Sequence, residues 1–308
     1  MQSFRDFELL VIDDGSTDNT EEVIQPYRRE LIYLAGPNRG AAAARNAGLR
    51  IAQGDLIAFL DADDLWHRDK IKEQVALMDA NPEIGVCYTN FTPFGLETDY
   101  ATGFDERGNP LRNYARRTIG PHSYVFTSSS LFEDLLRDQA SFKPSTLMVR
   151  KQCFEKVGPF DETISICEDA QMCLRLAKHF NYGYMDCCLV QRRVRTDTLS
   201  SSADSRRYAA VHIQMFENLE RWIALSKSER RALRRVLAGY RFAAGYLDFS
   251  EYRLASSRHH LWKSLKACFG LKIIFYLSMT FLPTELVKGL RFLKQQLAKQ
   301  DSFLALTK

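Results

Sequence analysis

Three carboxylates fall within four positions at Asp61-Ala62-Asp63-Asp64, directly after the apolar run Leu56-Ile57-Ala58-Phe59-Leu60. The run is too short for a helix and follows Gly54, so it reads as a buried strand. Ligands of open α/β sheets bind in the crevice beyond the carboxyl ends of the strands, where these carboxylates would stand. Residues two apart on extended chain share a face, so Asp61 and Asp63 can converge on one point. Like charges that close favour a cation between them. A hard divalent ion such as Mg²⁺ or Mn²⁺ accepts one or two carboxylates plus substrate phosphates. The spacing therefore predicts a metal and diphosphate site for a nucleotide-activated substrate. The competing reading is an acidic loop capping the helix that starts near Asp69.

Three further places carry groups of the same kind. Asp13-Asp14-Gly15-Ser16-Thr17-Asp18 follows the apolar stretch Leu9 to Ile12. Asp13 or Asp14 could accept hydrogen bonds from a base or from ribose hydroxyls, or simply form an Asx turn into a helix. Arg45 is the only long cation near the middle of the helix expected from the small-residue segment Gly36 to Gly48. It could grip a phosphate bidentately or be a solvated helix charge. Cys167-Glu168-Asp169 opens an apolar-faced segment, and Asp169 either complements that helix's dipole or stands free as a general base.

The elements that must position these groups follow from periodicity. Leu9–Ile12, Leu31–Leu34, Leu56–Leu60, Gly85–Thr89 and Ser145–Val149 read as strands, with helical segments between them. Ile71, Val75 and Met78 at i, i+4 and i+7 mark one face of a helix that ends near Asn81-Pro82. Alternation at this spacing predicts an α/β fold with a mostly parallel, Rossmann-like sheet. Residues 93–123 show no clear period and read as an excursion over the active face. Residues 131–142 and 153–157 read as helices, and Val190 to Ser200 closes the body. Beyond residue 203 the pattern is helical, which gives a body over 1–203 and a helical appendage over 204–308.

Charge divides along the same line. Residues 204–308 carry 19 Lys/Arg against 8 Asp/Glu, and residues 1–203 carry 23 against 30. An acidic body with a basic tail predicts an anionic partner for the tail. The run Leu271 to Leu282 is shorter than the roughly 20 apolar residues that span a bilayer. Lys263, Lys266 and Lys272 precede it and Lys288, Arg291 and Lys294 follow. That arrangement fits a helix lying in a membrane interface, with a core helix as the alternative. Cations interleaved with a continuous apolar run do not suit nucleic acid. The seven dispersed cysteines contain no C-x-x-C pair, and residues 1–8 lack the apolar core of a secretory signal, so a reducing cytoplasm is expected.

Taken in order, L-L-V-I-D-D-G-S-T-D, N-R-G-A-A-A-A-R-N-A-G, F-L-D-A-D-D and G-P-F-D-E…C-E-D resemble glycosyltransferase family 2, the inverting nucleotide-sugar transferases of type A fold. The resemblance covers about residues 4–200. It implies that Asp13 and Asp14 hold the nucleoside, that Arg45 lies near base and phosphates, and that Asp61 and Asp63 bind Mg²⁺ or Mn²⁺. It makes Asp169 the catalytic base. It also implies a nucleotide-diphosphate sugar donor, a saccharide or lipid-linked acceptor, and a role in cell-surface polysaccharide synthesis at the inner face of the membrane. Relatives carry one more strand and helix ahead of the segment that starts here. Many have a histidine where Arg195 stands; an arginine cannot ligate a metal but can bind diphosphate directly. The alternatives are a degenerate, non-catalytic relative serving as an assembly partner, and a nucleotidyltransferase.

Overall fold

Strand and helix alternate through the first part of the chain as β1 (Leu10–Asp13), α1 (Thr20–Ile24), β2 (Ile32–Ala35), α2 (Ala41–Ile51), β3 (Leu56–Ala58), β4 (Leu65–Trp66), α3 (Lys70–Ala80) and β5 (Ile84–Gly95). The computed structural model describes residues 1–96, 101–103, 113–138, 142–195 and 205–290. After β5 come β6 (Arg116–Gly120), β7 (Ser123–Phe126), α4 (Ser128–Asp138), β8 (Leu147–Arg150), α5 (Lys151–Val157), α6 (Glu168–His179) and β9 (Asn181–Val194). Four helices follow, α7 (Ser205–Asn218), α8 (Lys227–Ser250), α9 (Leu254–Ala267) and α10 (Leu271–Met279).

β1 and β2 pair in parallel as a two-stranded sheet. The larger sheet has the order β3-β8-β5-β9-β7-β6, with β4 paired to β9. The layered α/β class and the helical C-terminal region are as expected, but the pairing is more mixed than a mostly parallel sheet. β5 and β9 run parallel, while β8 lies antiparallel to both β3 and β5, and β7 antiparallel to both β6 and β9. One of these pairs has a local cause: β6 and β7 are joined only by Pro121 and His122, and so short a connection allows only an antiparallel pair. His122 takes the positive φ of 56° that the turn needs. Residues 93–123 thus hold the end of β5 and a hairpin. Within that stretch, residues 97–100 and 104–112 lie outside the described residues, as do 139–141 of the expected helix over 131–142 and Thr196 to Ser200 of the closing segment.

One face of the large sheet packs Ile84, Cys87, Val125, Met148 and Met185 against Ile71 and Met78 of α3. These are the apolar positions read as one helix face. Lys70, in the first turn of that helix, is also fully buried.

The chain divides into two compact units. The first comprises Met1–Ser202 with Gln214–Ala232, the second Ala203–Ile213 with Leu233–Lys308. Residues 214–232, beyond the boundary expected at 203/204, group with the first unit. Within the first unit, the Trp222 indole donates to Asp161 at 3.1 Å and lies 4.2 Å from the buried Arg175 guanidinium. Lys178 pairs with Glu229. In the second unit α8 and α9 approach closely at Gly245, where a Cβ would fall 2.8 Å from Leu261. Ser257 and Ser264 of α9 donate to the carbonyls of Gly245 and Ala238, each at 2.7 Å. Among the described residues no helix is long and apolar enough to cross a membrane.

Candidate active site

The acidic loop after β3 is pinned from two directions. The Asp61 N–H donates to Ser145 Oγ at 3.0 Å. The buried Asp64 carboxylate accepts the backbone N–H of Arg193 at 2.9 Å, and the Asp63 carbonyl accepts from Arg193 Nε at 3.1 Å. Burial pushes the Asp64 carboxyl up, and the Asp61 and Asp63 charges add to it, against hydrogen bonds from Ser145 and Arg193. The loop that carries Asp61, Asp63 and Asp64 is therefore fixed just past β3, with β9 as the clamp. Arg195, two residues beyond Arg193 and one past β9, is exposed.

Arg45 links this loop to the second acidic segment. It sits mid-helix in α2, with Nη2 at 3.0 Å from Asp61 Oδ1 and Nη1 at 2.5 Å from Glu168 Oε1. Burial pulls the guanidinium's pKa down, but the charges of Asp61, Glu168 and Asp169 outweigh it, and the pKa is raised. Glu168 responds in the other direction: burial and the neighbouring Asp169 charge lift its carboxyl despite Arg45. Cys167 precedes α6 at φ 70°, and the left-handed turn puts Glu168 and Asp169 in the helix's first turn. Asp169 is half-buried, accepts the Ala170 N–H at 2.8 Å, and borders a small apolar recess that Phe59, Phe160, Met172 and Cys173 also line. Phe59 belongs to the run that ends in Asp61, so the ends of β3 and α6 share one cleft wall.

Asp13 and Asp14 lie at the end of the smaller sheet. Asp13 accepts from the Tyr33 hydroxyl and from the Ser16 N–H, which holds its carboxyl below the usual range. The Ser16 bond is the Asx turn read as one alternative from sequence. Asp14 accepts the backbone N–H groups of Arg39 and Gly40 at 2.8 and 2.7 Å, at the start of α2. Gly15, at φ 81°, is required between them, since a Cβ there would fall 2.6 Å from the Asn38 nitrogen. The structure thus joins Arg45, Asp61 and Glu168 in one network with the Asp169 charge acting on it, holds the Asp63 backbone through Arg193, leaves Arg195 exposed past β9, and gives Asp13 and Asp14 structural partners of their own.

The donor set at Asp61 and Asp63 is all hard oxygen, which suits Mg²⁺ or Mn²⁺. Among the described residues no group of three or more candidate ligands gathers, so a metal here would draw its remaining ligands from diphosphate and water. Four contributors escaped sequence reasoning. Ser145 and Arg193 meet the loop from 84 and 129 residues away. Glu168 drew notice only as the neighbour of Asp169. Asn46, buried beside Arg45, donates to the Phe160 carbonyl and Glu162 and accepts the Phe160 N–H. The polar Asn46, in a helix of small and apolar residues apart from Arg45 and Arg50, is the one local signal.

The profile of Glycosyl transferase family 2 matches residues 1–138. The putative teichuronic acid biosynthesis glycosyltransferase TuaG of Bacillus subtilis is 30% identical over 207 residues, which cover 65% of this chain and 73% of that protein. The chain belongs to glycosyltransferase family 2. An uncharacterized glycosyltransferase of Rickettsia felis is 27% identical over 296 residues, covering 94% of this family member and 45% of that protein. The chain thus spans about half the length of such relatives. The crystal structure of S. aureus TarS 1-349 in complex with UDP-GlcNAc matches with a TM-score of 0.58 at 18% identity, over 88% of this chain and 76% of that one. That likeness is one of fold.

Proposed function

We propose that this family 2 chain is an inverting glycosyltransferase that moves a sugar from a nucleotide-diphosphate donor to an acceptor hydroxyl. The observation that carries this is Arg45, whose guanidinium joins the Asp61 loop to the Glu168-Asp169 turn. Donor-side and base-side carboxylates therefore face one cleft. Asp169 takes the proton from the acceptor hydroxyl as its oxygen attacks the anomeric carbon. The bond from that carbon to the diphosphate breaks on the opposite face, through a transition state of oxocarbenium character. Arg45, and Arg195 at the rim, receive the negative charge left on the phosphate oxygens. Asp61 and Asp63 would hold Mg²⁺ or Mn²⁺, which when bound supplies positive charge beside the leaving diphosphate. Asp13 and Asp14 face the nucleoside.

TuaG is named for teichuronic acid biosynthesis, which supports a cell-surface polysaccharide as the product and a saccharide or lipid-linked acceptor. The dispersed cysteines, with no C-x-x-C pair, suit a reducing cytoplasm. A second reading, a non-catalytic relative acting as an assembly partner, is favoured by one observation: Asp13, Asp14 and Asp61 already accept hydrogen bonds from the chain itself. A thermal-shift screen of nucleotide sugars with and without Mn²⁺, followed by product analysis, separates the two. Stabilisation by one donor class and release of its nucleoside diphosphate in the presence of acceptor is expected. A stable fold that no donor shifts would overturn the enzymatic proposal.

A further inference from the structure

The second compact unit leaves a run of large apolar side chains uncovered where α9 turns into α10. Phe269 is 74% exposed and Leu271 77%, and Trp262, Ile274, Phe275 and Phe281 are exposed with them. On α10 the outward positions Leu271, Ile274 and Phe275 follow helical spacing, while Leu277 is buried on the other side. α10 is therefore apolar on the face it buries and on the face it shows. An outward apolar face of this kind marks a surface that something else covers.

Charge identifies what covers it. Residues 258–290 carry Arg258, Lys263, Lys266, Lys272 and Lys288 against a single carboxylate, Glu285, which pairs with Lys288 at 2.8 Å. Lys263, Lys266 and Lys272 are exposed around the corner. The Lys266 amine lies 5.4 Å from the Trp262 ring, and the Arg258 guanidinium 4.2 Å from the Phe281 ring. Aromatic side chains with cations beside them match the boundary between acyl chains and anionic headgroups. There the rings enter the apolar layer and the long cationic stems reach back to phosphate. A second copy of the chain would bring the same lysines against one another if it covered this corner symmetrically.

We propose that the α9–α10 corner docks the protein peripherally on an anionic lipid bilayer, with Phe269, Leu271, Ile274 and Phe275 inserted at the interface and Lys263, Lys266 and Lys272 on the headgroups. The docking is independent of sugar transfer, and its test needs no donor. The full 308-residue chain is sedimented with vesicles of phosphatidylcholine alone and of phosphatidylcholine with 30% phosphatidylglycerol, at 0.1 M and 0.5 M salt. Binding to the anionic vesicles about tenfold tighter than to the neutral ones, and weakened by salt, is expected. F269S/F275S should lose that binding at least tenfold while its circular dichroism and melting temperature match those of the parent. K263Q/K266Q/K272Q should retain only the weak binding to neutral vesicles. Equal sedimentation with both vesicle types, or undiminished binding by F269S/F275S, overturns the proposal. So does a dimer in vesicle-free ultracentrifugation that F269S/F275S dissolves, because it gives the face to a second copy.

Discussion

Arg45 and Glu168 form an ion pair 2.5 Å long between side chains only 15% and 10% exposed. A carboxylate this enclosed depends on its partner. Removing one member of a buried pair costs about 3–5 kcal/mol, because the other charge is left without compensation. Arg45→Ala is expected to lower stability by about 3 kcal/mol in chemical denaturation. Glu168→Gln should cost less, and adding it to Arg45→Ala should recover part of the loss, since no orphan charge then remains. Strict additivity of the two substitutions would show that the pair does not act as a unit.

The proposed function gives Asp169 and Asp63 separate roles. Asp169 borders the recess at the start of α6, and Asp63 lies in the loop clamped by Arg193. Asp169→Asn keeps the shape and removes the proposed base. It should leave donor affinity within about twofold and lower turnover by 10²-fold or more. Asp63→Ala should instead abolish the Mn²⁺ dependence of donor binding in calorimetry and leave metal-free affinity unchanged. An Asp169→Asn enzyme with full turnover would remove Asp169 from the mechanism.

The parts of the site that lie at the end of a short apolar run were legible in the sequence. Asp61 follows β3, Asp13 ends β1, and Asp169 opens α6, and each boundary is marked by a change from apolar to acidic residues. What was hidden depends on long-range pairing. Nothing near Arg193 says that its backbone will cap Asp64, and nothing near Ser145 says that it will meet Asp61. The hairpin edge of the sheet was hidden for a related reason. β6 reads Arg-Arg-Thr-Ile-Gly, with no alternation strong enough to mark a strand, and only its hairpin with β7 makes it one. Asp13 and Asp14 show the limit of motif reading, because the side chains assigned to a nucleoside also close a turn and hold the backbone just ahead of α2.

Asn46 offers a sharper test of how the cleft wall is held. Its amide nitrogen is 2.9 Å from both the Phe160 carbonyl and Glu162, and its oxygen accepts the Phe160 N–H at 2.8 Å. Asn46→Ala leaves the buried Phe160 backbone groups unpaired and should cost about 2–3 kcal/mol. Asn46→Asp keeps the acceptor but turns the donor into a charge facing a carbonyl and a carboxylate, so it should be the more damaging of the two at neutral pH. Melting temperatures of the two variants decide the order. An Asn46→Asp protein as stable as its parent would show that the amide nitrogen contributes nothing.

Lys70 makes a prediction about pH. It is fully buried on α3, donates to Gln74 at 2.6 Å, and lies 4.0 Å from the Trp66 ring. Burial pushes its amine down from the ordinary 10.5 to about 7. Between those values the unfolded chain holds the proton and the folded chain does not. Stability therefore rises with pH across that window, by up to about 1.4 kcal/mol per pH unit. Below about pH 7 both states are protonated and the full penalty of a buried charge is present. Cys87, pushed up to about 12 by burial, acts in the opposite sense once unfolded thiols ionise above about pH 8.5, so the comparison is made between pH 7 and 8.5 and against a variant that shares those thiols. Lys70→Met removes the titrating group and fills the same space. Its stability should be flat where the parent's climbs, and it should exceed the parent at pH 7 by about 1–2 kcal/mol, the gain from the missing charge being partly offset by the Gln74 oxygen left without its donor. Parallel pH profiles for the two proteins would mean that Lys70 stays charged when folded, with Trp66 and Gln74 supplying enough compensation to hold it.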